Sequence, residues 1–199
     1  MPKGIPLTPQ EQDRRRHEIF EAAVGLFLRN GFVETSMQAI AAAAGMGKST
    51  LYDYFRSKDE ILVSYVEDAI FDLTENARQI AAQPLPAARR LNEVARAHLD
   101  YLVANKEFFI RLNQEVQRLA IDSLGQVQVQ RHAYQDLLCG LVEQAIREGS
   151  FRPVNPLLAA RALLALLNPA VYTTRPSGSP QQMADEVLEI FYRGVTRQA

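Results

Sequence analysis

Hydrophobic positions recur every three or four residues along nearly the whole chain, and no convincing run alternates residue by residue as a half-buried strand would. The pattern predicts an all-α protein of about nine helices. Thr8-Pro9-Gln10-Glu11 has capping-box spacing with proline at the first helical position. The helix it opens carries Ile19, Phe20, Ala23, Leu26 and Phe27 on one stripe and stops at Asn30-Gly31, a left-handed terminator. A short helix follows, capped by Thr35 or Ser36; Gln38, three residues past Thr35, favours Thr35. It runs through Ile40 and Ala41 and ends at Ala44-Gly45. Gly47 caps another short helix, Lys48 to Tyr54. Ser57-Lys58-Asp59-Glu60 then opens a longer one through Ile61, Leu62, Tyr65, Val66 and Ile70, fading near Pro84 and Pro86.

Past those prolines the helices lengthen: 87–104, 106 to about 119, and about 122 to 148, closed by Gly149. Asn155-Pro156 opens the next, reaching about Tyr172, with Pro169 expected to kink or shorten it. The loop TTRPSGSP is the only Pro/Gly/Ser-rich segment, and Ser179-Pro180 starts a last helix to about Arg197. The change in texture divides the chain into 1–57 and 58–199.

The stretch Thr35–Lys58 is the most informative: a short helix, a glycine turn, a second short helix and a freshly capped third. A helix–turn–helix must project its second helix into the major groove of DNA while the first braces it across the backbone. Lys48, Ser49 and Thr50 occupy the first turn of that second helix, where free N–H groups and the positive dipole end favour an anion. Tyr52 and Tyr54 splay to different sides, Leu51 and Phe55 face inward, and Lys58 lies at another helix start, pointing toward a duplex. An ordinary aromatic cluster packing two helices is the bland alternative for Tyr52, Tyr54 and Phe55. The order of cap, small residues, glycine turn, Lys-Ser-Thr and Ser-Lys around them argues for the reading helix.

Charge modifies this picture. The net charge is −1. Residues 1–60 carry eight Lys/Arg and eight Asp/Glu, so no bulk attraction pulls this half onto DNA. Affinity must come from locally placed cations, helix ends and doubled contacts in a dimer, which implies weak non-specific binding. Hydrophobic residues at 47% suffice for a core. No apolar run reaches membrane-spanning length, and the first residues lack the apolar stretch of a secretory signal. The lone Cys139 excludes an internal disulfide and fits a cytoplasmic protein. It reads as packing in an apolar helix, with a redox sensor as the alternative.

In this segment the chain resembles the tetracycline-repressor (TetR) family. The resemblance is carried by Ile19, Ala22-Ala23, Leu26-Phe27, Gly31-Phe32, Thr35-Ser36, Ile40-Ala41, Ala44-Gly45, Lys48, Thr50-Leu51-Tyr52, Tyr54-Phe55, Ser57-Lys58 and Leu62, in register without gaps. It implies an all-α homodimer whose N-terminal three-helix domain binds a pseudo-palindromic operator in double-stranded DNA, with a C-terminal domain that holds a small ligand. The implied DNA contacts are Thr35, Ser36, Lys48, Ser49, Thr50, Tyr52, Tyr54 and Lys58. Two departures stand out. Gly47 replaces the Ser or Thr common in the family, removing a side-chain cap. Asp53 puts a negative charge in the reading helix, either facing away from phosphates or accepting from a cytosine amino group.

For the second half the resemblance turns two apolar stripes, Leu163, Leu166 and Leu167 with Met183, Val187, Ile190, Phe191 and Gly194, into an expected four-helix bundle between subunits. Polar or aromatic groups interrupting the middle helices mark a candidate pocket: Phe71, His98, Tyr101, Phe108, Arg111, Asn113, Glu115, His132, Tyr134 and Asn168. Their Leu-, Ile-, Val- and Phe-rich surroundings suit a mainly apolar effector with one polar end. The segment LLNPAVYTTRPSGSPQQMADEVLEIFYRGV is similar to the C-terminal end of family members that answer fatty-acyl or steroid-derived acyl-CoA thioesters, although Pro169 stands where that branch has an aromatic. The helix from Lys58 to about Ala82 belongs to both domains. Ligand binding would swing it and change the spacing of the reading helices, by default releasing a repressor.

No catalytic or metal constellation competes. His17, His98 and His132 are far apart, Cys139 has no histidine nearby, and Glu-x-x-His spacing is absent, so neither enzyme chemistry nor a cofactor is expected. The remaining alternatives are a helical protein–protein adaptor and a DNA-binding regulator with a vestigial ligand site.

Overall fold

The computed structural model describes residues 8–111, 115, 124–173 and 175–196. They form α1 (Pro9–Asn30), α2 (Met37–Ala43), α3 (Lys48–Tyr54), α4 (Lys58–Ala81), α5 (Ala87–Ala104), α6 (helical over 106–111), α7 (Leu124–Arg147), α8 (Pro156–Tyr172) and α9 (Pro180–Val195). The extended pairing among the described residues is an isolated antiparallel bridge, Phe151 with Thr196. No described helix is long and apolar enough to cross a membrane.

Local chemistry sets most boundaries. Thr8 caps α1 in a full capping box with Glu11, and Gly31 ends it at φ 89°. Asn155 and Ser179 cap α8 and α9, each with proline in the first turn. One expectation changes. Ser36, not Thr35, caps α2, accepting from Ala39 N–H at 3.1 Å. Thr35 is instead turned inward, its hydroxyl donating to the Gly31 carbonyl at 2.8 Å. α8 reaches Tyr172 as expected and is not shortened at Pro169. The missing proline N–H frees only the Ala165 carbonyl, and Ala165 is solvent-exposed, so water can satisfy it.

The described residues fall into two compact units. The first comprises those of Met1–Val66 and Arg111–Leu124, the second those of Glu67–Ile110 and Gly125–Ala199, and α4 contributes to both. The core of the first is Ile19, Phe20, Ala23, Phe27, Phe32, Ile40, Leu51, Phe55, Ile61 and Leu62. The second is organised around α5, α7, α8 and α9, with Leu91, Val94, Leu138, Val142, Leu163, Leu167 and Leu188 at its centre. Glu148 at the end of α7 accepts from the Ala87 N–H at 2.8 Å, and Arg90 donates to the Ala81 carbonyl, so the end of α4 and the start of α5 are held by side chains.

Candidate nucleic-acid interface and effector region

Gly45, at φ 66°, makes the sharp exit from α2 that an L side chain would resist. Gly47 then starts α3 with no side-chain cap. Leu51 and Phe55 are buried at 0% and 1% exposure, fixing α3 to the core. The Phe55 ring packs at a tilt 5.6 Å from Phe20, and the Arg16 guanidinium lies 5.5 Å from the Phe20 ring centre and 5.3 Å from that of Phe55. Anchoring one face turns the other outward: Lys48, Ser49, Thr50, Tyr52 and Asp53 are exposed and Tyr54 half-buried. The Lys48 ammonium sits 5.8 Å from the Tyr52 ring, which places a cation beside an aromatic on the outer face. Ser36, at the start of α2, is exposed as well.

Two of the sequence-derived contact residues are placed otherwise. Thr35 is 2% exposed, so its side chain offers nothing to a duplex. Lys58 does not point outward. Its ammonium donates to the carbonyls of Phe32 at 2.6 Å, Val33 at 2.8 Å and Thr35 at 3.0 Å, and lies 4.7 Å from the Phe32 ring centre. Neither this clasp nor the Arg16 stack was found in the sequence. Arg16 is four residues before Phe20, a helical spacing that signals it; Lys58 and residues 32–35 have no such mark.

Residues 19–65 match the family model for bacterial regulatory proteins of the tetR family, and residues 84–195 match that for a tetracyclin repressor-like C-terminal domain. The chain belongs to the TetR family. It is a helix–turn–helix transcriptional regulator. The HTH-type transcriptional repressor KstR2 of Rhodococcus jostii (strain RHA1) is 28% identical over 185 residues, 91% of each chain. The crystal structure of the TetR regulator PfmR from Thermus thermophilus covers 90% of this chain and 99% of its own at 29% identity and TM-score 0.73. AibR, solved with isovaleryl coenzyme A and operator DNA, covers 89% and 98% at 25% identity and TM-score 0.68.

In the second unit of this TetR-family chain, the structure pairs two of the pocket candidates. The Tyr134 hydroxyl and His98 Nδ1 are 3.1 Å apart, with the rings stacked at 5.6 Å. Burial holds the His98 pKa down at about 4 and pushes the Tyr134 hydroxyl up. The imidazole is therefore neutral at pH 7 and shares a hydrogen bond with the phenol through Nδ1. Tyr101 and Phe108 both flank Phe109, at 5.9 Å and 5.5 Å, and Phe109 lies 6.4 Å from Tyr172. Phe71, His132 and Asn168 are exposed, and Asn113 lies outside the described residues.

Arg111 and Glu115 belong to the first unit, not with His98 and Tyr134. Arg111 donates to the Leu28 carbonyl at 2.6 Å, and both residues line an open pocket of about 320 Å³ with Phe27, Leu28, Gly31, Phe32, Val33 and Glu34. Arg111 thus serves the carbonyl end of α1, where a cation also meets the negative dipole end. The Cys139 thiol is raised by burial and by the carboxylates of Glu143 and Asp136, the opposite of a reactive thiolate.

The expected subunit stripes divide. Leu163 and Leu167 are 0% exposed and Phe191 5%, packed inside the unit, so these three are core. A helix shows only one face to a partner, and theirs is already covered. Leu166, Met183 and Val187 are half-buried, whereas Ile190 and Gly194 are exposed. Leu158, not singled out from sequence, is also exposed, with Ala165 and Tyr172 seven and fourteen residues on along the same face of α8.

Proposed function

We propose that this regulator binds a pseudo-palindromic operator as a homodimer in the cytoplasm and leaves it when an acyl thioester, apolar with one polar end, occupies its C-terminal unit. The observation that carries the DNA half is the outward face of α3, Lys48, Ser49, Thr50 and Tyr52, standing on buried Leu51 and Phe55. Such an arrangement puts a short helix's protruding side chains at base edges and phosphates while its inner face stays fixed. With Lys58 and Thr35 engaged internally, DNA contacts fall to Ser36, Lys48, Ser49, Thr50, Tyr52 and Tyr54. Subunits would meet through the outward faces of α8 and α9, with Leu158, Leu166, Met183, Val187, Ile190 and Gly194, setting two α3 helices about 34–36 Å apart.

The effector class rests on the operator- and acyl-CoA-bound relative together with the aromatic group Tyr101, Phe108, Phe109 and Tyr172 and the buried His98–Tyr134 pair. An apolar acyl chain suits the rings, and a carbonyl suits a neutral imidazole N–H. Because α4 is one continuous helix from Lys58 to Ala81, movement at its far end reaches the DNA unit as a change of angle. The ligand releases DNA only through its differential affinity for the two forms, about 1–3 kcal/mol in typical cases.

The test selects a duplex from a random library with the wild-type chain, then titrates acyl-CoAs of rising chain length, with free coenzyme A and free fatty acids as controls. Operator affinity falling about 5- to 150-fold with an acyl-CoA, but with neither control, is the expected result. Unchanged operator affinity across the whole acyl-CoA series at saturating concentration would remove the effector assignment. Failure to enrich any sequence would remove the DNA assignment.

A further inference from the structure

We propose that Lys58 is a positioning residue: by holding the carbonyls of Phe32, Val33 and Thr35 it fixes the turn between α1 and α2, and with it the aim of α3, without touching DNA. An ammonium has three N–H donors in a tetrahedral set and no acceptor. Here three carbonyl oxygens at 2.6–3.0 Å take all three, and the Phe32 ring, 4.7 Å away, covers another side. To reach a phosphate, the side chain would give up three charge-assisted bonds and leave the carbonyls of a tight turn exposed together.

The turn is already cross-braced. Thr35 N–H donates to the Phe32 carbonyl at 3.3 Å, and the Thr35 hydroxyl to the Gly31 carbonyl at 2.8 Å. The Phe32 oxygen therefore accepts twice, from Thr35 and Lys58, using both lone pairs. Thr35 immediately precedes Ser36, the cap that starts α2, so Lys58 sets where α2 begins. Because Lys58 is itself in the first turn of α4, the same ammonium joins the start of that helix to the start of the helix–turn–helix. A change in the direction of α4 is thus passed to α2 and α3 through three hydrogen bonds, in addition to the chain connection through Phe55-Arg56-Ser57.

This inference rests on the chain being a DNA-binding regulator, and the two are separable by experiment. Lys58→Met removes the charge at near-constant shape. Lys58→Arg keeps the charge, but a planar guanidinium spreads its donors and cannot gather three oxygens around one nitrogen. Full-length proteins are compared for binding to the selected duplex and to a scrambled one over a salt series, and for deuterium uptake at residues 31–36. The clasp predicts about tenfold weaker binding to the selected duplex for both variants, unchanged binding to scrambled DNA, an unchanged salt slope and faster uptake at 31–36. A phosphate contact predicts instead that Lys58→Met flattens the slope by about two in a dimer and weakens both duplexes alike, with Lys58→Arg restoring them; that result overturns the proposal. Wild-type specific binding in both variants overturns it too. Should Lys58→Met fail to fold, Lys58→Arg decides alone by the same criteria. If no duplex is enriched at all, the uptake still decides, and unchanged exchange at 31–36 refutes the clasp.

Discussion

Lowering the pH should destabilise the C-terminal unit through one histidine. His98 has a native pKa of about 4 against 6.5 for the ordinary side chain, because burial disfavours the charged ring, although the residue as a whole keeps some exposure. The native state refuses the proton that the unfolded chain accepts, so stability is unaffected above about pH 7 and falls as pH drops from 6.5 toward 4. The linkage relation gives a loss of about 2 kcal/mol at pH 5 and about 3 kcal/mol once both forms are protonated, upper values given the residue's partial exposure. With both ring nitrogens protonated, Nδ1 can only donate to the Tyr134 hydroxyl oxygen, so the pair loses its choice of direction. The assay is urea unfolding of wild type and His98→Asn from about pH 7.5 to 4.5 at fixed protein concentration, since dimer stability depends on it. Asparagine leaves an amide oxygen near Nδ1 and does not titrate, so the difference between the proteins isolates His98 from carboxylates common to both. That difference should shift by about 2 kcal/mol between about pH 7.5 and 5. Parallel curves for the two proteins would refute the reasoning.

Other expectations follow from the same geometry. Leu51→Ala removes a fully buried side chain beneath α3 and should cost about 2–5 kcal/mol, seen as a lower urea midpoint for the N-terminal unit. Lys48→Ala with Tyr52→Ala should abolish binding to the selected duplex while leaving molecular mass and helical signal unchanged; retained binding would put the reading surface elsewhere. Leu158→Glu with Ile190→Glu places charges at two exposed apolar sites, 66% and 64% accessible, and should yield monomers in sedimentation velocity if α8 and α9 form the subunit contact. Gly31→Ala forces an L side chain to φ 89° and should destabilise by about 1 kcal/mol, read as a lower melting temperature.

Helix ends were legible because they are written in nearby residues. The side chains of Thr8, Asn155 and Ser179 accept from the N–H groups of Glu11, Leu158 and Gln182, each three positions on. The inward side of α3 was legible for the same reason: Leu51 and Phe55 are four apart on one face. What escaped involves partners far along the chain. The Lys58 clasp reaches back more than twenty residues, and Arg111 meets Leu28 across 83. Periodicity also cannot say which of two apolar faces meets its own core and which meets a partner, so Leu163, Leu167 and Phe191 read like interface and proved to be interior. Thr35 and Ser36 are chemically equivalent caps; the choice fell to Ser36 because the threonine hydroxyl had a carbonyl to reach at Gly31.

In the helix–turn–helix unit, Arg16 lies over two phenylalanine rings and Lys58 is enclosed by carbonyls. Both cations are engaged within the unit, in a segment with no excess of positive charge to begin with. Fewer available cations mean weaker non-specific attraction, which would shorten sliding along random duplex. On the proposed function, an effector would then find a larger share of the regulator off DNA than in a relative with a strongly basic reading head.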